Sequence, residues 1–320
     1  MHYIVFSDLH LGKNFYDYHL NPEFNARFTL NEYWSLLTQK YIFEIIDKQN
    51  YLVDEEVTFV FLGDTLDQPN MTFPQLTYIE DIFDRILVNK NWKIVFQLGN
   101  HDTSSYKGNW EKTTLSRFCN YDDRLHIINK PEILDFNKFI VFHLPYVRYQ
   151  DLIPILWQYQ KYTRDKNVYL FSHNYIYVSD TFINTPTVSI DIVKDILHCK
   201  SLLVFNGHLH VTHYEPQYFQ LGSVSPTSFK ENPFASGACY YQLGTDNYKL
   251  YRNIHIVFFS ISNYHSIDKL KSWLSQCRHY NTKVFIQYKS HLQLSIDHIS
   301  MTYADLVIGL RCRDGQFKTS

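Results

Sequence analysis

Six short apolar runs, most of them stopping abruptly at residues suited to binding a metal ion, constrain this chain more than any other feature. They are YIVFS (3–7), VTFVFLG (57–63), KIVFQLG (93–99), KFIVFH (138–143), NVYLFSH (167–173) and LLVFNGH (202–208). Their length and their content of Val, Ile, Phe and Tyr predict buried strands rather than pieces of helix. Between several of them lie helical patterns, over 30–49, over 73–90 with Pro74 near its start, and over 189–199. Proline is tolerated in the first turn because its missing N–H would have had no partner there. Strands alternating with helices predict an α/β domain. The segment GTDNYKLYRN near residue 245 reads as a last strand or a linker. After it come a strand (254–262), a helix (266–280) and a strand (282–290). We therefore divide the chain into a main domain, 1–250, and a small α/β unit, 251–320.

The ends of the runs carry the chemistry. They deliver Asp8 and His10, then Asp64 and Asp67, then Asn100, His101 and Asp102, then His173, then His208 and His210. Asn and Asp are ordinary turn residues, so GNHD alone could be a turn. Five such ends in one chain are not explained that way. In open α/β sheets the carboxyl ends of the strands border one crevice, so these side chains are expected to meet. Carboxylate, amide and imidazole donors without thiolate suit Mn²⁺, Fe or Zn²⁺ rather than a closed structural zinc site. The candidate ligands are Asp8, His10, Asp64, Asn100, His173, His208 and His210. They are too many for one tetrahedral ion and suit two ions that share a carboxylate. A pair of ions about 3.5–4 Å apart can clamp a phosphoryl group and generate hydroxide near neutral pH.

Composition narrows the rest. Lys and Arg total 30 against 32 for Asp and Glu, a formal net charge of −2, so no overall basic field advertises nucleic acid. The 26 tyrosines and 24 phenylalanines exceed anything that base-stacking platforms would need. Five cysteines without a CxxC pair argue against a disulfide framework and fit a reducing compartment. No run of about 18 apolar residues predicts a membrane span, and no signal peptide is visible. A cytoplasmic protein without membrane contact is the expectation, in the bacterial host's cytoplasm if a phage encodes it.

The series D-x-H, GD, GNHD, H and GHxH resembles the calcineurin-like metallophosphoesterases over residues 1 to about 245. The resemblance implies a β-sandwich of two mixed sheets flanked by helices, with the C-terminal unit as a capping domain. It implies two divalent ions, Mn²⁺ first, with Mg²⁺, Fe or Zn²⁺ as alternatives. Asp8, His10 and His210 would hold one ion, and Asn100, His173 and His208 the other. Asp64 would bridge, His101 would act beside the leaving group, and Asp102 would orient the His101 imidazole. GDTLDQ (63–68), FQLGSVSPTSFKEN (219–232) and the strand–helix–strand tail narrow the resemblance to SbcD-type nuclease subunits and the small subunit of phage recombination endonucleases. That implies DNA as substrate, an SbcC-type, SMC-like ATPase as partner, and a homodimer. In that group the chain usually continues past the cap into helices that bind the ATPase, whereas Ser320 follows the cap closely here. SDLHLG also occurs in lipid-precursor pyrophosphatases of the superfamily, which typically carry arginine where this chain has His101.

Other residues read as structural. His143 and His213 have no place in the seven-ligand scheme, and Asp67 reads as a neighbour of the ligands. Asp180 falls in helix or loop context, and Asp191 suits a helix N-terminus. KYTRDK (161–166), KLK (269–271) and RCRDGQFK (311–318) are basic clusters that suit solvated surface or phosphate contact. Phe73, Leu76, Tyr78, Ile79, Ile82 and Phe83 could form a dimer patch or fill the domain's own core. The leading expectation is a two-metal DNA nuclease. The rivals are a small-molecule phosphodiesterase or phosphatase with the same ligands, and a non-catalytic scaffold that binds DNA or an ATPase.

Overall fold

The structure is a computed structural model, and it describes residues 1–15, 18–22, 28–103, 111, 113–182, 184–227 and 237–313. All six apolar runs are strands. The first sheet contains β1 (His2–Phe6), β3 (Val57–Phe61), β4 (Trp92–Gln97) and β5 (Leu125–Ile128), all parallel, with β16 (Ala238–Gln242) antiparallel to β1 and β17 (Tyr248–Tyr251) at the edge. The second sheet has β7 (Phe139–Leu144), β8 (Asn167–Ser172), β13 (Ser201–Asn206) and β15 (Tyr218–Gln220) parallel, edged by β6 (Glu132–Asp135) and β14 (His213–Glu215).

The two sheets lie face to face. Successive side chains of a strand point to opposite faces, and the burial pattern follows that rule. Tyr3, Val5, Val60 and Leu62 pack against Val141, Phe171, Leu203 and Phe205 of the other sheet. Ile4, Phe6, Phe59 and Phe61 point the other way, onto α1 (Leu30–Asp47) and α2 (Phe73–Leu87). The outer face of the second sheet is covered by α3 (Tyr149–Thr163) and α4 (Ile190–Leu197). Burial on both faces is why these strands read as unbroken apolar runs. Two minor ladders, β9 (Ile176–Tyr177) with β12 (Val188–Ser189) and β10 (Thr181–Phe182) with β11 (Thr185–Pro186), lie between β8 and α4.

Both α1 and α2 begin with capping boxes, Thr29 with Glu32 and Thr72 with Gln75, which satisfy the first free N–H groups. Leu76, Ile79, Ile82 and Phe83 of α2 are buried in the domain's own core, leaving Phe73 exposed. The apolar face of α2 is thus largely consumed within the chain.

The C-terminal unit has parallel strands β18 (Ile256–Ile261), β19 (Lys283–Tyr288) and β20 (Val307–Cys312), joined through α5 (Tyr264–Tyr280) and α6 (Gln293–Thr302). Residues 19–20 add the antiparallel edge strand β2 (His19–Leu20). One face of this sheet packs on α5 and α6. The other receives Phe15, Leu30 and Trp34 against Ile256, Phe258, Phe285 and Ile308. Ser225 joins the two parts, accepting from Thr38 Oγ1 and from Asn253 Nδ2, each at 2.8 Å. It belongs to the segment 219–232, of which residues 228–232 lie outside the described residues, as do 314–318 of the last basic cluster. No helix among the described residues is long and apolar enough to cross a membrane.

Candidate metal centre

The loops that follow β1, β3, β4, β8 and β13 bring seven side chains to one crevice. Asp8, His10, Asp64 and His210 present one donor atom each, all within 4.8 Å of one another, and so do Asp64, His173 and His208. Asp64 belongs to both groups. Asn100 joins the second through its Oδ1, 2.9 Å from His208 Nδ1.

Two local devices allow this crowding. Asp8, His10, Asp64 and His208 all adopt positive φ, between 47° and 69°. Non-glycine residues rarely enter that region, and such strain concentrates at functional sites. The glycines beside them allow close approach. A Cβ at Gly99 would overlap the Asp64 carboxylate and backbone nitrogen, and one at Gly207 would overlap Ser7 Oγ and crowd His173 Nδ1 and Asp8 Oδ2.

Buried amides hold the loop carbonyls. Gln97 Nε2 donates to Leu62 O and Leu144 O. Asn174 Nδ2 donates to Leu144 O and Pro145 O, and Asn206 Nδ2 to Asn174 O and Ile176 O. Gln220 Nε2 donates to Gly207 O and Leu209 O. None of these four belongs to the motif series, yet each is visible in the sequence as a lone amide at or just past the end of an apolar run, as in VFQLG, FSHN, VFNGH and YFQLG.

Electrostatics sort the residues into a floor and a rim. Asp8, Asp64 and His173 are fully or almost fully buried, while Asn100, His101, His208 and His210 are partly exposed. Burial would raise the Asp8 and Asp64 carboxyls, but facing imidazoles outweigh it. His173 and His210 hold Asp8 below its usual range, and His173 and His10 hold Asp64 well below it. Burial also disfavours charge on His173, yet Asp64 and Asp8 raise it above an ordinary imidazole. His208 goes the other way, lowered to about 3 by burial and by the neighbouring His173.

These residues fit a divalent cation on their own geometry. His10 Nε2 and His210 Nε2 face each other at 3.0 Å, and His210 Nε2 is 3.3 Å from Asp8 Oδ1. His173 Nε2 is 3.2 Å from Asp64 Oδ2, but neither of its buried ring nitrogens completes a hydrogen bond. Carboxylate, amide and imidazole lone pairs crowded without enough protons between them are the donor set of a metal site.

One expected role changes. Asp102 was expected to orient the His101 ring. Instead, its Oδ1 accepts from Leu66 N at 2.9 Å and its Oδ2 from Gly99 N at 2.8 Å, tying the two strand-end loops together. Burial and the charge of Asp64 raise it to about 6. The His101 ring is held by Asp67, whose backbone carbonyl lies 2.8 Å from Nδ1. The Asp67 carboxylate lies 3.3 Å from His10 Nδ1 and 2.9 Å from Lys13 Nζ. Burial opposes its charge, but His10 and Lys13 prevail and leave it at about 2. Asp67 thus steadies two histidines. Chain direction decides the exchange: Asp102 points back under its own loop, toward free N–H groups that need an acceptor.

Of the residues read as structural, Asp67 lies in the crevice, its carboxylate within 4.8 Å of donor atoms of His10 and His101, while His143, His213 and Asp191 stay outside it. His143 is buried between the sheets, stacked on Phe171 at 5.2 Å. His213 pairs with Glu215 at 2.9 Å. Asp191 lies in the first turn of α4, whose N-cap is Ser189. Comparison with models of known protein families gives no match, and comparison with curated proteins gives none either.

Proposed function

We propose that the chain is a two-metal phosphodiester hydrolase acting on DNA, a nuclease with the arrangement of the calcineurin-like metallophosphoesterases. The single observation that carries this reading is the shared position of Asp64 between two donor groups. Asp8, His10 and His210 would hold one ion, Asn100, His173 and His208 the other, and Asp64 both. When bound, such a pair supplies Lewis acidity toward phosphoryl oxygens and lowers the pKa of water toward neutrality.

The remaining chemistry belongs to the chain. The buried carboxylate floor neutralises cations, and the rim is built of the Asn100 amide and the His101, His208 and His210 imidazoles, with the partly exposed Asp67 carboxylate tied to His10 and Lys13 beside them. His101 Nδ1 must donate to the Asp67 carbonyl, so the neutral ring has its lone pair on Nε2. When the ring is protonated, Nε2–H can donate to the departing oxygen, a general-acid contribution of roughly 10²–10⁴-fold. The backbone N–H of His101 donates to Asp64 Oδ1 at 2.8 Å, which ties the loop carrying the acid to the shared carboxylate.

The test separates chemistry from metal binding. His101→Ala should lose cleavage of single-stranded DNA by that factor while calorimetry shows Mn²⁺ binding unchanged. A variant as fast as the parent overturns the assignment. Bis(p-nitrophenyl) phosphate and cyclic nucleotides in the same panel address the small-molecule alternative, which predicts that they outrun DNA.

A further inference from the structure

A run of aromatic rings leads away from the metal centre, and the hydrolase reading does not use it. Tyr175 sets its ring edge-on to His208, with centroids 4.3 Å apart and planes at 83°. Tyr146 lies 5.4 Å from His208 on the same side. Tyr149, the first residue of α3, meets Tyr175 at 5.9 Å. From there the outer face of α3 continues with Ile153 and Trp157, at i+4 and i+8 from Tyr149, so the three share one face. Tyr149 is 41% exposed, Ile153 38% and Trp157 53%. Eight residues of helix span about 12 Å. The inner face, with Leu152 and Leu156, is fully buried. The exposed rings are therefore surplus to the core.

Charge along this path favours a polyanion. Residues 146–166 hold Arg148, Lys161, Arg164 and Lys166 against Asp151 and Asp165. Arg148 lies between the two tyrosines and is half exposed, although it pairs with Asp151 at 2.6 Å. Lys161 lies over the Tyr162 ring at 4.7 Å. Flat rings interleaved with cations are what single-stranded nucleic acid binds, since every base has a π-face and every linkage a negative charge.

We propose that Tyr175, Tyr149 and Trp157 form a stacking track for the bases of a single strand whose backbone enters the metal centre. This rests on the hydrolase reading and names its substrate class as unpaired, base-bearing DNA. Each ring contributes base contact and not sequence choice, because stacking tolerates any base.

The experiment compares a fluorescein-labelled oligothymidylate with an abasic oligomer of equal length, bound to the full chain and read by anisotropy without added metal. The parent should prefer the base-bearing strand by roughly tenfold or more. Tyr149→Ala with Trp157→Ala should bring that preference close to unity, with circular dichroism confirming the fold. Tyr175→Phe keeps the ring and should keep the preference. Cleavage of the oligomer by the double variant should fall more than cleavage of bis(p-nitrophenyl) phosphate. Equal binding of both oligomers by the parent, or an unchanged preference in the double variant, overturns the track. If bis(p-nitrophenyl) phosphate is cleaved while base preference is absent, the track alone fails. Track-dependent binding without hydrolysis of either substrate supports the track and overturns the hydrolase reading.

Discussion

The large sandwich and the C-terminal sheet are built on the same plan, parallel strands with helical crossovers, yet among the described residues only the sandwich gathers at its strand ends a crevice of donor groups that could hold a metal ion. In the C-terminal unit the strands β18 and β19 run into Ser262–Asn263 and Lys289–Ser290. These polar residues serve the next helix. Asn263 caps α5 by accepting from Ser266 N at 2.9 Å. In the sandwich the corresponding residues turn inward to one another. Backbone conformation marks the difference more sharply than residue type. Asp8, His10, Asp64 and His208 are left-handed, whereas the C-terminal unit's one such residue among those described is Asn281, an ordinary helix C-cap. A polar residue after a strand is commonplace; a strained one facing other donors marks a candidate site.

The largest expected effect breaks that comparison at its centre. Asp64→Ala removes the one carboxylate common to both donor groups. Loss of several kcal/mol of charge stabilisation corresponds to a fall of about 10³-fold or more in cleavage rate, with Mn²⁺ binding by calorimetry weakened in step. A rate within tenfold of the parent would make the crevice a buried polar cluster like any other.

How much of this contrast the sequence announced follows from physics. The six core strands were legible because burial on both faces leaves no polar interruption. The candidate donor residues were legible because each follows such a run. Helix α3 was not, since Pro154 sits inside it and proline reads as a helix stop. Strand β20 was hidden by Gly309, where a Cβ would press on the Phe285 ring, so its glycine serves packing and looks like a break. Strand β2 is two residues long and exists only because β20 offers an edge. The exchange between Asp67 and Asp102 could not be read at all. Asp102 adjoins His101 in the sequence while Asp67 lies 34 residues before it, and only the fold decides which one faces N–H groups.

A smaller effect sharpens the contrast through pH. His143, Phe171, Phe205 and Phe219 are successive partners on β7, β8, β13 and β15 and stack ring on ring, at 5.2, 4.9 and 5.1 Å. The His143 ring extends this ladder, but both its nitrogens are buried without hydrogen bonds. Burial lowers it to about 3, helped slightly by His126. The folded pKa lies below the unfolded value near 6.5, so the unfolded chain binds the extra proton. Its stability contribution is complete above pH 6.5 and is lost as pH falls toward 3. That amounts to about 2 kcal/mol between pH 7 and pH 5. His143→Phe should recover that difference in urea titrations at pH 5 and change little at pH 7. An equal gain at both would mean packing, not protonation. The C-terminal unit has five histidines, of which His265, His279, His291 and His298 are exposed and His255 is buried against Glu44 at 3.0 Å. Replacement of the four exposed ones should leave the acid limb unaltered.

The smallest effect tests the other side. Asn263 occupies the position after β18 that Asp8 occupies after β1, one residue beyond the first polar residue, yet its carbonyl oxygen is spent on Ser266 N and the Ser266 hydroxyl. Replacing a helix N-cap with alanine costs about 1 kcal/mol. Asn263→Ala should therefore lower the urea midpoint modestly, with metal affinity and DNA cleavage indistinguishable from the parent. A fall in cleavage beyond the change in stability would mean that the C-terminal sheet reaches the substrate. Its most direct route would be Phe15, which follows His10 by five residues and packs against Phe285 at 5.2 Å. In that event the polar ends of the second sheet would belong to the same chemistry as the first, and the division between capping residue and ligand would no longer follow the backbone.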